Sequence, residues 1–213
     1  MSIICPTVTP STPDPHVYRE QLERVAVLSD RIQIDLMDGD FAPNKNTNPI
    51  QVWWPDNVQP DIHLMYRHPL EHIETLVSLK PSMVIIHAEA EGDVLALIKH
   101  LQRLGIKAGV ALLKSTEARD AVPLIESADH VLIFSGDLGH FGGHADLAML
   151  RKVADVKAIH PGVEIGWDGG ANAENVAELA AGGIDVINVG GAIQRADDPQ
   201  SAYDTLVSKI STT

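Results

Sequence analysis

Two rhythms alternate along this chain. Short runs rich in β-branched residues, with side chains alternating at period two, give way to longer stretches with apolar residues at helical spacing. The first rhythm predicts eight strands: SIICPTV (Ser2 to Val8), RIQIDL (Arg31 to Leu36), DIHLMY (Asp61 to Tyr66), MVIIHA (Met83 to Ala88), KAGVAL (Lys107 to Leu112), HVLIFS (His130 to Ser135), GVEIGW (Gly162 to Trp167) and DVINVG (Asp185 to Gly190). The second predicts helices in PHVYREQLERVAVL, PLEHIETLVSL, DVLALIKHLQRLG, EARDAVPLIES, ADLAMLRKVADV and NAENVAELAAGG. The connection from Ala42 to Pro60 is poorer in helix signal, and its Trp53-Trp54 pair among prolines fits a short helix or an irregular loop.

Strands that alternate with helices pair in parallel. Eight such units without a break in composition predict a closed (β/α)8 TIM barrel filling one domain, residues 1–213, with a doubly wound open sheet as the runner-up. The length of 213 residues and 45% hydrophobic content suit one large core. Sixteen Lys and Arg against 29 Asp and Glu give a net charge of −13, which disfavours a nucleic-acid partner. Cys5 is the only cysteine, so no disulfide within the chain is possible, and its default role is a small core residue. No apolar run approaches a membrane span and no signal peptide is recognisable, so a cytoplasmic protein without membrane association is expected.

In a barrel, polar residues just after strand ends gather at one mouth, where active sites form. Here those ends carry Thr7; Gln33, Asp35 and Asp38; His63 and Met65; His87 and Glu89; Ser135 and Asp137; Asp168-Gly169-Gly170; and Gly190-Gly191. Gln33 and Asp35 share a strand face. If that face is the interior, Asp35 and Asp168 approach across the mouth, as acid–base chemistry requires. A structural ion pair would explain any one acidic strand end, but not the joint pattern. WDGG, VGGA and the loop GHFGGH (Gly139 to His144) let backbone N–H groups approach a ligand, which points to phosphate at Gly142, Gly143, Gly169, Gly170, Gly190 and Gly191.

These motifs resemble the ribulose-phosphate 3-epimerase family along nearly the whole chain. The family pattern His-x-Asp-x-Met-Asp-Gly-x-Phe-x-Pro-Asn is similar to Gln33 through Asn44, with Met37 in its place. His-Leu-Met matches His63-Leu64-Met65, His-x-Glu-Ala matches His87 to Ala90, and Asp-Gly-Gly matches Asp168 to Gly170. Phe-Gly-Gly-Gln appears as Phe141-Gly142-Gly143-His144, and Gly-Ser-Ala-Ile as Gly190-Gly191-Ala192-Ile193. The resemblance implies a ketose-phosphate epimerase that passes through an enediolate, with Asp35 and Asp168 as the acid–base pair. It also implies a sugar-phosphate substrate, a homo-oligomer, and a divalent metal, zinc or iron, on Asp35, His63 and Asp168.

The fourth family ligand, a histidine, is Gln33 here, and an amide oxygen is a poorer zinc ligand than imidazole. Three readings stay open: metal retained on three ligands with Gln33 or water in the fourth place, metal lost with Gln33 as a donor to the enediolate, or a barrel that binds sugar phosphate without turnover. Thr7 keeps the hydroxyl of a family serine. The sixth-strand loop, Gly136 to His144, reads one residue longer than the family's, with Phe134 replacing a methionine. Methionine at position 37 instead of lysine disfavours the related aldol and decarboxylation enzymes. Asp38 is expected to support the strand end and Asp40 to be solvated. His140 and His144 are expected to be solvated or phosphate-facing, and His16, His68, His72, His100 and His130 to lie on the surface. The tryptophan pair is expected to pack against the barrel or a neighbouring subunit.

Overall fold

The computed structural model describes residues 2–139 and 142–211. All eight predicted strands form: β1 Ile3–Val8, β2 Arg31–Met37, β3 Gln59–Met65, β4 Met83–His87, β5 Lys107–Leu112, β6 His130–Phe134, β7 Glu164–Asp168 and β8 Val186–Val189. Each pairs in parallel with its sequence neighbour, and β1 pairs with β8, so the sheet is a closed barrel rather than an open doubly wound sheet. The helices are α1 Pro15–Val25, α2 Ile73–Leu79, α3 Val94–Arg103, α4 Val122–Ser127, α5 Arg151–Ile159, α6 Val176–Ala181, α7 Gly191–Gln194 and α8 Pro199–Ser211. None is long and apolar enough to cross a membrane.

Strand β2 shows how the pattern dictates the architecture. Ile32, Ile34 and Leu36 are fully buried in the layer between barrel and helices, with helix residues such as Leu22, Leu76 and Ile98. The pleat therefore turns Arg31, Gln33, Asp35 and Met37 into the barrel. Helix α1 begins where Asp14 accepts a hydrogen bond from the His16 N–H at 2.9 Å, with Pro15 in the first turn. It buries Tyr18, Leu22 and Val25, at spacings of four and three. Helix α3 is capped by Asp93 and buries Val94, Leu97, Ile98 and Leu101, each aliphatic side chain contributing roughly 1.5–3 kcal/mol. The predicted helix EARDAVPLIES is split. A 3-10 turn at Ala118–Asp120 precedes α4, whose Pro123 occupies a first-turn position where its missing N–H is not needed. The connection after β2 is mostly irregular, with one short 3-10 turn at Pro49–Gln51.

The barrel interior is layered. At the strand starts, Arg31 donates from Nε to Asp61 at 2.8 Å and through both terminal nitrogens to Glu164 at 2.9 and 2.7 Å. His130 joins this cluster through Nδ1, 2.8 Å from Glu164. Burial opposes ionisation of Glu164, but Arg31 and His130 outweigh it and hold the carboxyl well below the usual range. His130 is thus 1% exposed and not the surface histidine expected from its position at a strand start, because the inward pleat takes it into the barrel. His16 and His68 are exposed, and His72 and His100 half-buried. Above this layer lies an apolar plug of Met83, Ile85, Ala111 and Leu132. Cys5 is buried, as expected.

Candidate active site

The site is built from the C-terminal halves of the inward-facing positions. The β2–β3 register sets Asp35 beside His63, and β6–β7 sets Phe134 beside Asp168. Asn46 holds the end of β2: its amide accepts from the Met37 N–H and donates to the Asp35 carbonyl, both at 2.8 Å. Asp38 closes the turn, accepting from the N–H groups of Asp40, Phe41 and Arg67, while Asp40 is exposed. Asp38 thus supports the strand end, as expected, and is not among the residues that line the cavity.

One oxygen of Asp35, one of Asp168 and Nδ1 of His63 lie within 4.8 Å of one another. His63 Nδ1 is 3.0 Å from Asp35 and 3.3 Å from Asp168. Gln33, fully buried, points its amide nitrogen between the carboxylates, donating to Asp35 Oδ1 at 2.9 Å and Asp168 Oδ2 at 2.8 Å. Its carbonyl oxygen has no partner. Thr9 adds a hydroxyl donor to the other Asp35 oxygen at 2.5 Å.

Burial and the facing Asp168 charge raise the Asp35 carboxyl above its ordinary range, against the donors His63 and Thr9. Burial alone would make His63 less basic, but its hydrogen bonds to Asp168 and Asp35 push it up to about 9. On its far side, His63 Nε2 sits 2.9 Å from Nε2 of His87. Burial and the neighbouring His63 lower His87 to about 4, so it is neutral at pH 7. The other ring nitrogen of His87, Nδ1, faces Glu89 Oε2 at 3.4 Å. The contact between the two Nε2 atoms fixes the His63 ring so that its Nδ1 faces the carboxylates.

A cavity of about 250 Å³ opens above these groups. Thr7, Asp35, Met37, Met65 and Asp168 line it, together with Gly142, Gly143, Gly169, Gly170, Gly190 and Gly191. Gln33 and His63 lie behind this lining, with no exposed surface. Two of the glycines are required by their surroundings. Gly169 (φ +112°) and Gly170 (φ +71°) have left-handed backbones, and a Cβ would come within 2.0 Å of the Gly136 and Ala145 nitrogens respectively. Among the described residues, the N–H groups of Gly170, Gly191 and Ala192 have no backbone acceptor. Phe134 lines the cavity with Met37 and Met65, forming an apolar wall.

Sequence reasoning missed Thr9, Asn188 and Arg195, which also line the cavity. Thr9 continues the face of Thr7 two residues on, and Asn188 is the one polar residue in the strand VINV, so both left a signal in the alternation. His144 is exposed and takes no part in the three-residue cluster, while His140 and Phe141 lie outside the described residues. Trp54 packs against the core, and Trp53 meets Tyr18 edge-on while remaining 45% exposed.

The fold and cavity define a barrel whose mouth brings an acidic pair and glycine loops to one cavity. The model of the ribulose-phosphate 3 epimerase family matches residues 4–194, and the chain belongs to that family, among the isomerases acting on carbohydrates. It is 32% identical over 186 residues to the ribulose-phosphate 3-epimerase of Helicobacter pylori (strain ATCC 700392 / 26695), covering 84% of this chain and 85% of that one. It is 28% identical over 188 residues to the enzyme of that name from Schizosaccharomyces pombe, covering 85% and 82%. In fold it is similar to 3-hexulose-6-phosphate synthase from Salmonella typhimurium, with a TM-score of 0.74 at 16% identity over 99% of each chain.

Proposed function

We infer that this chain interconverts ribulose 5-phosphate and xylulose 5-phosphate, or a closely similar ketose phosphate pair, by moving the proton at C3. The observation that carries the reading is the pair of carboxylates, Asp35 and Asp168, held by one amide at the floor of a cavity edged with glycine loops. One carboxylate takes the C3 proton and the other returns a proton to the opposite face of the planar enediolate. The N–H groups of the glycine loops bind the phosphate. Thr7 offers its hydroxyl to the sugar, and Met37, Met65 and Phe134 exclude water from the enediolate.

The residues fit a divalent cation. Asp35, His63 and Asp168 converge, His63 is oriented from behind by His87, and turning the Gln33 amide would direct its partnerless oxygen to the same point. A zinc or iron ion bound there would supply positive charge to stabilise the enediolate oxygen. The Gln33 amide hydrogens bridge the two carboxylates.

The test is an epimerisation assay with ribulose 5-phosphate. Wild type should turn over, and Asp35→Asn and Asp168→Asn should each lose at least about 10²-fold in kcat, as removal of a proton-transfer group does. Activity within a few-fold of wild type in either variant would defeat the assignment of roles. A second reading, a barrel that binds sugar phosphate without turnover, is favoured by the same amide, which already engages an oxygen of each carboxylate. Sugar-phosphate binding by a wild-type protein that catalyses no proton exchange at C3 would select it.

A further inference from the structure

We propose that Arg195 grips the phosphate of the substrate and selects for its charge, an inference that rests on the sugar-phosphate reading above. A phosphate monoester carries about −1.5 to −2 charges at neutral pH. It must enter a protein of net charge −13 and settle in a cavity that already contains Asp35 and Asp168. Backbone N–H groups offer partial charges only. Among the described residues lining the cavity, Arg195 is the one with a cationic side chain.

Its position follows from the end of β8. The chain leaves the barrel through Gly190, makes the single turn α7, and Arg195 closes that turn by donating its N–H to the Gly191 carbonyl at 3.1 Å. The side chain is thereby returned to the glycine loops. A Cβ on Gly142 would lie 2.5 Å from one terminal guanidinium nitrogen and 3.0 Å from Cζ, and one on Gly191 would lie 3.8 Å from Cζ. The guanidinium thus lies against two loops at once, in van der Waals range of the one after β8 and in the space that the missing side chain of Gly142 leaves on the one after β6. Gly142 (φ +77°) is favoured as glycine by its left-handed backbone, and a side chain there would push the guanidinium aside. A planar fork beside the N–H groups of Gly191 and Ala192 suits the oxygens of a phosphate, which it can engage through two parallel bonds.

The alternative is a tether that only joins the two loops. Phosphate affinity separates the two roles. With the full chain, inhibition by inorganic phosphate and the kinetics on ribulose 5-phosphate are compared for wild type, Arg195→Gln and Arg195→Lys, with melting temperatures recorded alongside. Arg195→Gln should weaken inorganic phosphate roughly 10- to 100-fold and lower kcat/KM by a similar factor, the loss falling on KM. Arg195→Lys, which keeps the charge but not the fork and is the less disruptive of the two, should lie between. Phosphate affinity within threefold of wild type in Arg195→Gln, or in Arg195→Lys should the glutamine variant not fold, overturns the proposal while leaving the epimerase reading intact. A wild-type protein that binds neither inorganic phosphate nor ribulose 5-phosphate removes both.

Discussion

Replacing Gln33 by leucine should destabilise the metal-free protein, although the two side chains are similar in size. The change deletes two hydrogen bonds to carboxylates, at 2.9 and 2.8 Å, in a fully buried place. Bonds to charged partners contribute about 1.5–3 kcal/mol each, so the gross loss is roughly 3–6 kcal/mol. Against this stands the Gln33 carbonyl oxygen, buried without a partner, whose removal relieves about 1–3 kcal/mol. At the middle of both ranges the net expectation is a loss of about 2.5 kcal/mol, or roughly 5–10 °C in melting temperature for a chain of this length. Thermal unfolding at pH 7 in the presence of a chelator measures it. Saturating zinc should then restore part of the loss, since Asp35, His63 and Asp168 remain and a ligand bound only to the folded state stabilises it. A leucine variant that melts within 1 °C of wild type under chelation would refute the bridging role of the amide.

Other outcomes follow from the same geometry. Gln33→His, with its imidazole on the Asp35 face of β2, should raise zinc occupancy in metal analysis; no zinc bound at neutral pH and saturating metal would mean that the three remaining ligands do not converge. Thr9→Val removes the hydroxyl donor to Asp35 and should lower kcat about tenfold or less at unchanged fold, read by steady-state kinetics and circular dichroism. At the barrel's other end, the Glu164 carboxyl is held below its ordinary range, so its contribution is present above the unfolded value of 4.5 and is lost as pH falls below it. Wild type should therefore lose stability more steeply than Glu164→Gln between pH 5 and 3 in urea unfolding, and parallel profiles would contradict that assignment.

The barrel was legible because its strands carry two faces with different duties. In RIQIDLM the even positions meet helices and must be apolar, while three of the four odd positions, Arg31, Gln33 and Asp35, carry polar groups, so one segment announces both the strand and the site. Helix α8 was not foreseen: of Pro199–Ser211 only Leu206 is fully buried, which leaves too faint an apolar stripe for periodicity to detect. His130 was misread because a strand start resembles a loop in sequence, whereas in a barrel an inward-facing start belongs to a buried layer, here with Arg31 and Glu164. The bridge from Gln33 to Asp168 spans 135 residues, and its two-donor geometry depends on barrel closure. Arg195 left no mark in any motif, because its significance comes from lying across Gly142, on the loop after β6.

The central claim is that Asp35 and Asp168 move a proton at C3, and proton exchange tests it most directly. Ribulose 5-phosphate incubated with wild-type protein in heavy water should gain deuterium at C3 and appear also as xylulose 5-phosphate, while Asp35→Asn and Asp168→Asn leave the carbon protiated. A wild-type protein that binds the sugar phosphate yet returns it with no deuterium would contradict the claim.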